Sequence, residues 1–172
     1  MKKTLTIAPF FVFVILFSPQ VSSQECGIVY VTPGGVTSGI AGTRANPANL
    51  VYALSLVTPA SNRLWLANGT YHISSPLHLK DNLILEGGFD STNWEKSNAN
   101  ISSIVRDASN IDTANLALVA ISAINKTGFG LHDLTITIAD APLPQVTVYG
   151  VYVNNCSLYN IVRCKIQTGR GG

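Results

Sequence analysis

Apolar and polar residues alternate in short runs along most of this chain, and two blocks of those runs repeat thirty residues apart. Ile121-Ser122-Ala123-Ile124-Asn125 aligns with Val151-Tyr152-Val153-Asn154-Asn155. Phe129-Gly130-Leu131 aligns with Tyr159-Asn160-Ile161, and Leu134-Thr135-Ile136 with Cys164-Lys165-Ile166. Each copy is an apolar strand, an Asn-bearing turn, an aromatic residue and a second apolar strand. One such coil cannot bury its apolar face alone, so the pattern predicts coils that stack into a solenoid. Strand alternation sends Leu134, Ile136 and Ile138 inward and Thr135 and Thr137 outward. In the second copy the inward set is Cys164, Ile166 and Thr168, with Arg163 and Lys165 outward. Ile121, Ala123, Val151 and Val153 point inward, and Tyr152 and Asn154 outward. Residues 139–148, with Pro142 and Pro144, form an excursion between coils, and such insertions gather on one face.

Ahead of the repeats, residues 27–32 read as a strand that ends at the turn signal Pro33-Gly34-Gly35. Residues 36–46 are small, polar and Gly-rich, which predicts a loop. Pro47 suits the first turn of a helix, with Asn46 as its N-cap. Leu50, Ala53, Leu54 and Val57 recur at helical spacing, and Pro59 stops the run. Short strands are expected over 64–66, 70–73, 77–79 and 83–86, with turns at Asn68-Gly69 and Lys80-Asp81-Asn82. Gly87-Gly88-Phe89-Asp90 leads into a polar loop containing Trp94. A strand over 101–105, a loop over 107–114 and a strand over 116–124 complete the approach to the first clear repeat.

The first residues are a targeting signal rather than fold. Lys2 and Lys3 form a basic start, residues 7–17 are apolar apart from Pro9, and Val21-Ser22-Ser23 precedes an expected cleavage before Gln24. That run is too short to span a bilayer. The expected organisation is a signal peptide over 1–23, an N-terminal cap of strand, loop and short helix over 24–62, and incomplete parallel coils over 63–172. The chain ends at Thr168-Gly169-Arg170-Gly171-Gly172 without the cap that covers the last edge of a solenoid. The expectation is the N-terminal piece of a longer protein, truncated at its C-terminal end, with further coils of the same chain as its partner.

Charge narrows the partners. The chain holds 11 Lys and Arg against 9 Asp and Glu, and two of the lysines fall in the signal, leaving nine against nine. A neutral chain without a basic patch offers nucleic acid no electrostatic footprint, and the membrane enters only through export. The odd count and sparseness of Cys26, Cys156 and Cys164 argue against a disulfide-stapled fold. Cys164 stands where Leu134 stands in the first copy, and Cys156 where Lys126 stands. A Cys156–Cys164 bridge would have to tie a turn to an inward position. No His or Cys spacing matches a zinc site.

The order of elements resembles the start of right-handed parallel β-helix proteins of the pectate-lyase-like superfamily. The resemblance rests on Tyr30-Val31-Thr32-Pro33-Gly34-Gly35, the amphipathic helix, Leu66-Ala67-Asn68-Gly69-Thr70-Tyr71 and residues 79–89. Gly87-Gly88-Phe89-Asp90 with Trp94 is similar to large secreted bacterial surface proteins of that fold. Gly150-Val151-Tyr152-Val153 and residues 160–166 resemble their β-helix repeats. The resemblance implies an all-β, right-handed parallel β-helix whose short N-terminal helix covers the open end of the first coil through Leu50, Leu54 and Val57. A charge at Leu54 is then expected to cause aggregation.

Candidate chemistry is sparse. Asn125 and Asn155 fall at equivalent turns, where stacked asparagines form a side-chain ladder; ligand contact is the alternative. Both also begin N-glycosylation triplets, as do Asn68 and Asn100. Lyases of the resembled fold use an outward Arg or Lys as base with acidic residues holding calcium, which makes Arg163 and Lys165 candidates. Asp133 and Asp140 are the nearest acids, isolated and separated by a strand, so no calcium cage assembles. Two solvated charges are the simpler reading. His72, His78 and His132 are scattered over the surface or turns. Trp94 and Tyr152 suit stacking on a sugar ring or packing under a loop. Glu86, Asp90 and Glu95 would form a paired-carboxylate site only across a defined gap, and Asp90 more simply serves a turn.

The functional expectation is an exported, secreted or surface-displayed β-helix scaffold that is non-catalytic, with adhesion or carbohydrate binding as its task and a polysaccharide or cell-surface glycan as its ligand. The alternative is a polysaccharide lyase or glycoside hydrolase whose catalytic coils lie beyond residue 172. No catalytic, cofactor or metal residue is assigned. Calcium enters only under the lyase reading, and Tyr152, Arg163 and Lys165 are the exposed ligand candidates.

Overall fold

The computed structural model describes residues 27–172; the expected signal segment, its cleavage site and Cys26 lie outside them. The strands are β1 (Ile28–Val36), β2 (Arg63–Ala67), β3 (Gly69–Ile73), β4 (Leu77–His78), β5 (Ile84–Phe89), β6 (Ser102–Arg106), β7 (Ala117–Ile124), β8 (Gly130–His132), β9 (Leu134–Ile138), β10 (Thr147–Asn154), β11 (Asn160–Val162) and β12 (Lys165–Gln167). One helix, α1 (Leu50–Leu56), lies between β1 and β2. The strands form three parallel sheets, β1-β2-β5-β8-β11, β3-β6-β9-β12 and β4-β7-β10, here called the first, second and third. From β2 onward the chain visits them in that order on every turn, which makes a parallel β-solenoid of about four turns.

The thirty-residue offset is the physical register of the last two coils; earlier coils pair at unequal spacings. Ile121 pairs with Val151 and Ala123 with Val153, Leu131 with Ile161, and Ile136 with Ile166. Inward side chains therefore stack in columns along the axis. Leu64, Leu85 and Leu131 form one such column, all fully buried, and Ile104 and Ile136 form another. Each fully buried Leu or Ile contributes about 1.5–3 kcal/mol. The columns end in the last coil. Ile161 and Ile166 hold inward register but are 40% and 43% exposed, because no coil among the described residues lies beyond them. Thr168, expected inward, lies past β12 and is exposed.

A second apolar cluster sits outside the first sheet. Tyr30, Ala67, Phe89 and Trp94 are buried there, with Trp65 stacked on Phe89 at 4.3 Å between ring centroids. Trp94 packs under its own loop, edge-on to Tyr30 at 4.6 Å.

Two local expectations shift. Pro33-Gly34-Gly35 is not a turn: β1 runs through it to Val36. β1 is an edge strand, where a proline without an N–H is tolerated, and a Cβ on Gly35 would overlap the Ala48 carbonyl. The helix starts later than Pro47 implies. Asn49 is the N-cap, accepting from the Val51 N–H at 3.0 Å. Residues 46–48 are instead drawn into pairing with β1, where the Val36 N–H donates to the Pro47 carbonyl and Ala48 bridges Val36. Tertiary hydrogen bonding overrides the local capping signal. Leu50 and Ala53 of α1 are buried against the first coil, while Leu54 and Val57 are half-buried.

The later two connections between the second and third sheets are long. Residues 107–116 and 139–146 both leave the solenoid at this corner. Arg106, fully buried, anchors the first of them. Its Nε donates to the Val119 carbonyl at 3.1 Å, and its terminal nitrogens donate to the carbonyls of Asp107, Ser109 and Asn110 at 2.5–3.1 Å. The corner between the third and first sheets is compact and carries the asparagines.

Candidate functional site

The outward face of the third sheet is walled by the connection over 107–116 and forms a groove of about 390 Å³. Strand alternation breaks on this face. Ala120 and Ile121 are consecutive and both buried. Opposite them, Gly150 is buried where a Cβ would overlap the Ile166 side chain. The slip brings Tyr149 and Tyr152, three residues apart, onto the same outward face, with ring centroids 5.3 Å apart and edge-to-face. Strand register sets His78, Ser122 and Tyr152 in one row across three coils. Asp112 and Asn115, from the connection over 107–116, form the wall. The Asn115 side-chain amide donates to Asp112 at 2.8 Å, and the backbone N–H groups of Asn115 and Ala114 each donate at 3.0 Å. These bonds, led by the Asn115 side chain, hold the Asp112 carboxyl below its usual range. The groove thus presents two aromatic faces, a fixed carboxylate, an amide and an imidazole to solvent, with the buried Ser122 at its floor.

A second constellation lies at the corner between the first and second sheets. Asp133 and Arg163 occupy equivalent left-handed corner positions in successive coils, with φ of 55° and 49°. Arg163 therefore sits at the turn between β11 and β12 rather than on a strand. It grips Asp133 through Nε at 2.5 Å and Nη2 at 2.8 Å. Lys96, from the connection between β5 and β6, also ion-pairs with Asp133 and reaches Glu86 at 2.6 Å. The Arg163 hydrogen bond comes first in lowering the Asp133 carboxyl, to about 2; burial opposes it, and Lys96 adds to it. Burial pulls the Lys96 ammonium down, but the hydrogen bonds to Asp133 and Glu86 outweigh it and raise the group. Asp133 is therefore not the isolated acid of the sequence reading. The offset that aligns Asn125 with Asn155 also aligns Asp133 with Arg163, and that signal was in the sequence. Lys165 lies beside this cluster, exposed, with Thr135 as its register partner.

The remaining candidates are structural in their contacts. The Asn155 amide donates to Asn125 Oδ1 at 2.6 Å, and both residues have positive φ. Thr127 and Ser157 hydroxyls meet at 3.1 Å, and Phe129 stacks on Tyr159 with centroids 5.0 Å apart. Cys156 and Cys164 are free thiols, each half-buried. Cys156 donates to the Ala123 carbonyl and Cys164 to the Leu131 carbonyl, both at 3.3 Å. Glu86, Asp90 and Glu95 do not act as a set: Glu86 holds Lys96, and Asp90 accepts from the Thr92 N–H at 2.7 Å. His132 meets the Asn160 side chain. Among the described residues no group of three or more His, Cys, Asp or Glu is placed to hold a metal ion.

Comparison with protein-family models, with curated proteins and with solved structures finds no match.

Proposed function

We propose that this chain is an exported, non-catalytic β-helix scaffold of the pectate-lyase-like kind that binds a polysaccharide or cell-surface glycan through the groove on its third sheet. The observation that carries this reading is the tyrosine pair. Tyr149 and Tyr152 expose aromatic surface at a rigid, sheet-borne position, next to the fixed acceptors and donors of Asp112 and Asn115. Sugar rings have apolar C–H faces and polar edges, so aromatic platforms flanked by hydrogen-bonding groups suit them. The row His78–Ser122–Tyr152 runs along the solenoid axis, which favours an extended chain over a single monosaccharide.

The test is binding of the exported chain to a panel of soluble and insoluble polysaccharides. Tyr149→Ala and Tyr152→Ala are each expected to weaken the best ligand about tenfold, which corresponds to about 1.4 kcal/mol, with unchanged circular dichroism. Full affinity in both variants would overturn the groove assignment. Release of new reducing ends during the incubation would replace the scaffold reading with an enzymatic one.

A further inference from the structure

The charged corner is a binding site of a different kind from the tyrosine groove. The connection between β5 and β6 folds back over the second sheet and encloses a groove of about 220 Å³ lined by Lys96, Asn98, Asn100, Asp133, Arg163 and Lys165 among others. Its charges are unequal. Asp133 and Glu86 match Lys96 and Arg163 through the ion pairs already described. Among the described residues Lys165 makes no ion pair, so the groove keeps one unmatched ammonium. Strand register extends the site along the axis. Thr70, Ser103, Thr135 and Lys165 occupy one outward row across four coils of the second sheet. Neighbouring strands lie about 4.8 Å apart, so three hydroxyls and an ammonium follow one another at that spacing.

We propose that this groove binds a hydroxyl-rich glycan bearing an anionic group, with Lys165 receiving the anion and the Thr70–Ser103–Thr135 row and the asparagines meeting ring hydroxyls. Asp133 acts as a positioning residue: it ties Lys96 and Arg163 down so that they shape the wall, leaving Lys165 as the cation that seeks a partner. An acidic peptide would satisfy Lys165 but leave the hydroxyl row unused, so the glycan is favoured. The inference stands independently of the tyrosine groove, which is built from other strands and faces a different side.

The experiment uses three probes with one backbone: dextran, carboxymethyl-dextran and dextran sulfate, titrated calorimetrically into the exported chain at low and moderate salt. Both charged dextrans are expected to bind more tightly than dextran, and their ratio reports whether carboxylate or sulfate is preferred. Lys165→Gln is expected to lower the affinity for the charged forms about tenfold, as loss of a hydrogen bond to a charged group predicts, and to reduce its salt dependence. Lys165→Arg should retain binding. Equal affinity of wild type and Lys165→Gln for the charged dextrans would overturn the proposal. So would polyglutamate binding as tightly as carboxymethyl-dextran. Tyr152→Ala keeps the two sites apart: it should leave charge-dependent binding at Lys165 intact, and a loss there would assign that binding to the tyrosine groove instead.

Discussion

Asp133 is the residue on which the charged corner turns. One carboxylate, 14% exposed, holds a guanidinium from the next coil and an ammonium from a neighbouring connection. Its folded value of about 2 lies below the ordinary 3.8. A depressed carboxylate stabilises the fold fully above its unfolded value and loses that contribution as pH falls through its folded one. The window here is therefore about pH 4 down to 2. Arg163 is largely exposed, so solvent screening keeps the contribution small. Asp133→Asn should lower the urea midpoint of the protein at pH 7 by a corresponding amount. The difference between variant and wild type should then shrink as the pH is lowered from 4 to 2. A gap that persists unchanged at pH 2 would show that Asp133 acts through packing or neutral hydrogen bonds instead.

At the scale of elements, α1 is the piece whose loss the solenoid should tolerate least. Leu50 and Ala53 bury against the first coil, whereas Leu54 is only half-buried. Burying an unpaired carboxylate at Leu50 adds a desolvation penalty to lost packing, together about 3 kcal/mol or more. Leu50→Asp is therefore expected to expose the first coil and to elute as aggregate on size exclusion, with Leu54→Asp the milder of the two. The reverse order would mean that the helix covers the coil with its other face. The elements also show what was legible in the sequence. The offset between residues 121 and 151 carried the register of the last two coils and the stacked asparagines, whereas the columns through Leu64, Leu85 and Ile104 follow unequal spacings that no single offset marks. The thirty-residue offset equally carried Asp133 beneath Arg163, but a corner residue has no alternation to mark it, and Asp133 read as isolated. Tyr149 was hidden for a related reason: the slip at Gly150 breaks the period of two that identifies outward positions. Lys96, Asp112 and Asn115 come from long connections, whose path is set by the buried Arg106 and by the Trp94 cluster rather than by any periodic signal. The start of α1 was misplaced because β1 takes residues 46–48 as pairing partners.

For the whole molecule, the stacking implies a gradient of stability along the axis. In a solenoid each coil is held by its neighbours, so local stability follows how many faces of a coil are covered. β5, β6, β8 and β9 have hydrogen-bonded strands on both sides, and β7 lies between β4 and β10. β10, β11 and β12 have a partner on one side only, and Ile161, Val162 and Ile166 stay exposed above them. Opening the last coil uncovers little apolar area that is not already wet, so its opening free energy should fall well below that of the central coils. Amide hydrogen exchange followed by mass spectrometry should find the slowest peptides in β5 to β9. Those covering β11 and β12 should exchange at least about a hundredfold faster, a difference of about 3 kcal/mol in opening free energy. The first coil serves as the internal control. It is also terminal, but β1 pairs with the outer side of β2 and α1 packs against β1, so β2 should exchange more slowly than β11, whose outer side has no strand partner among the described residues. Uniform protection from β2 through β12 would refute the open-edge picture and require that the last coil be covered in solution. A dilution series would then show whether that cover is a second molecule, since only an intermolecular cover is lost on dilution.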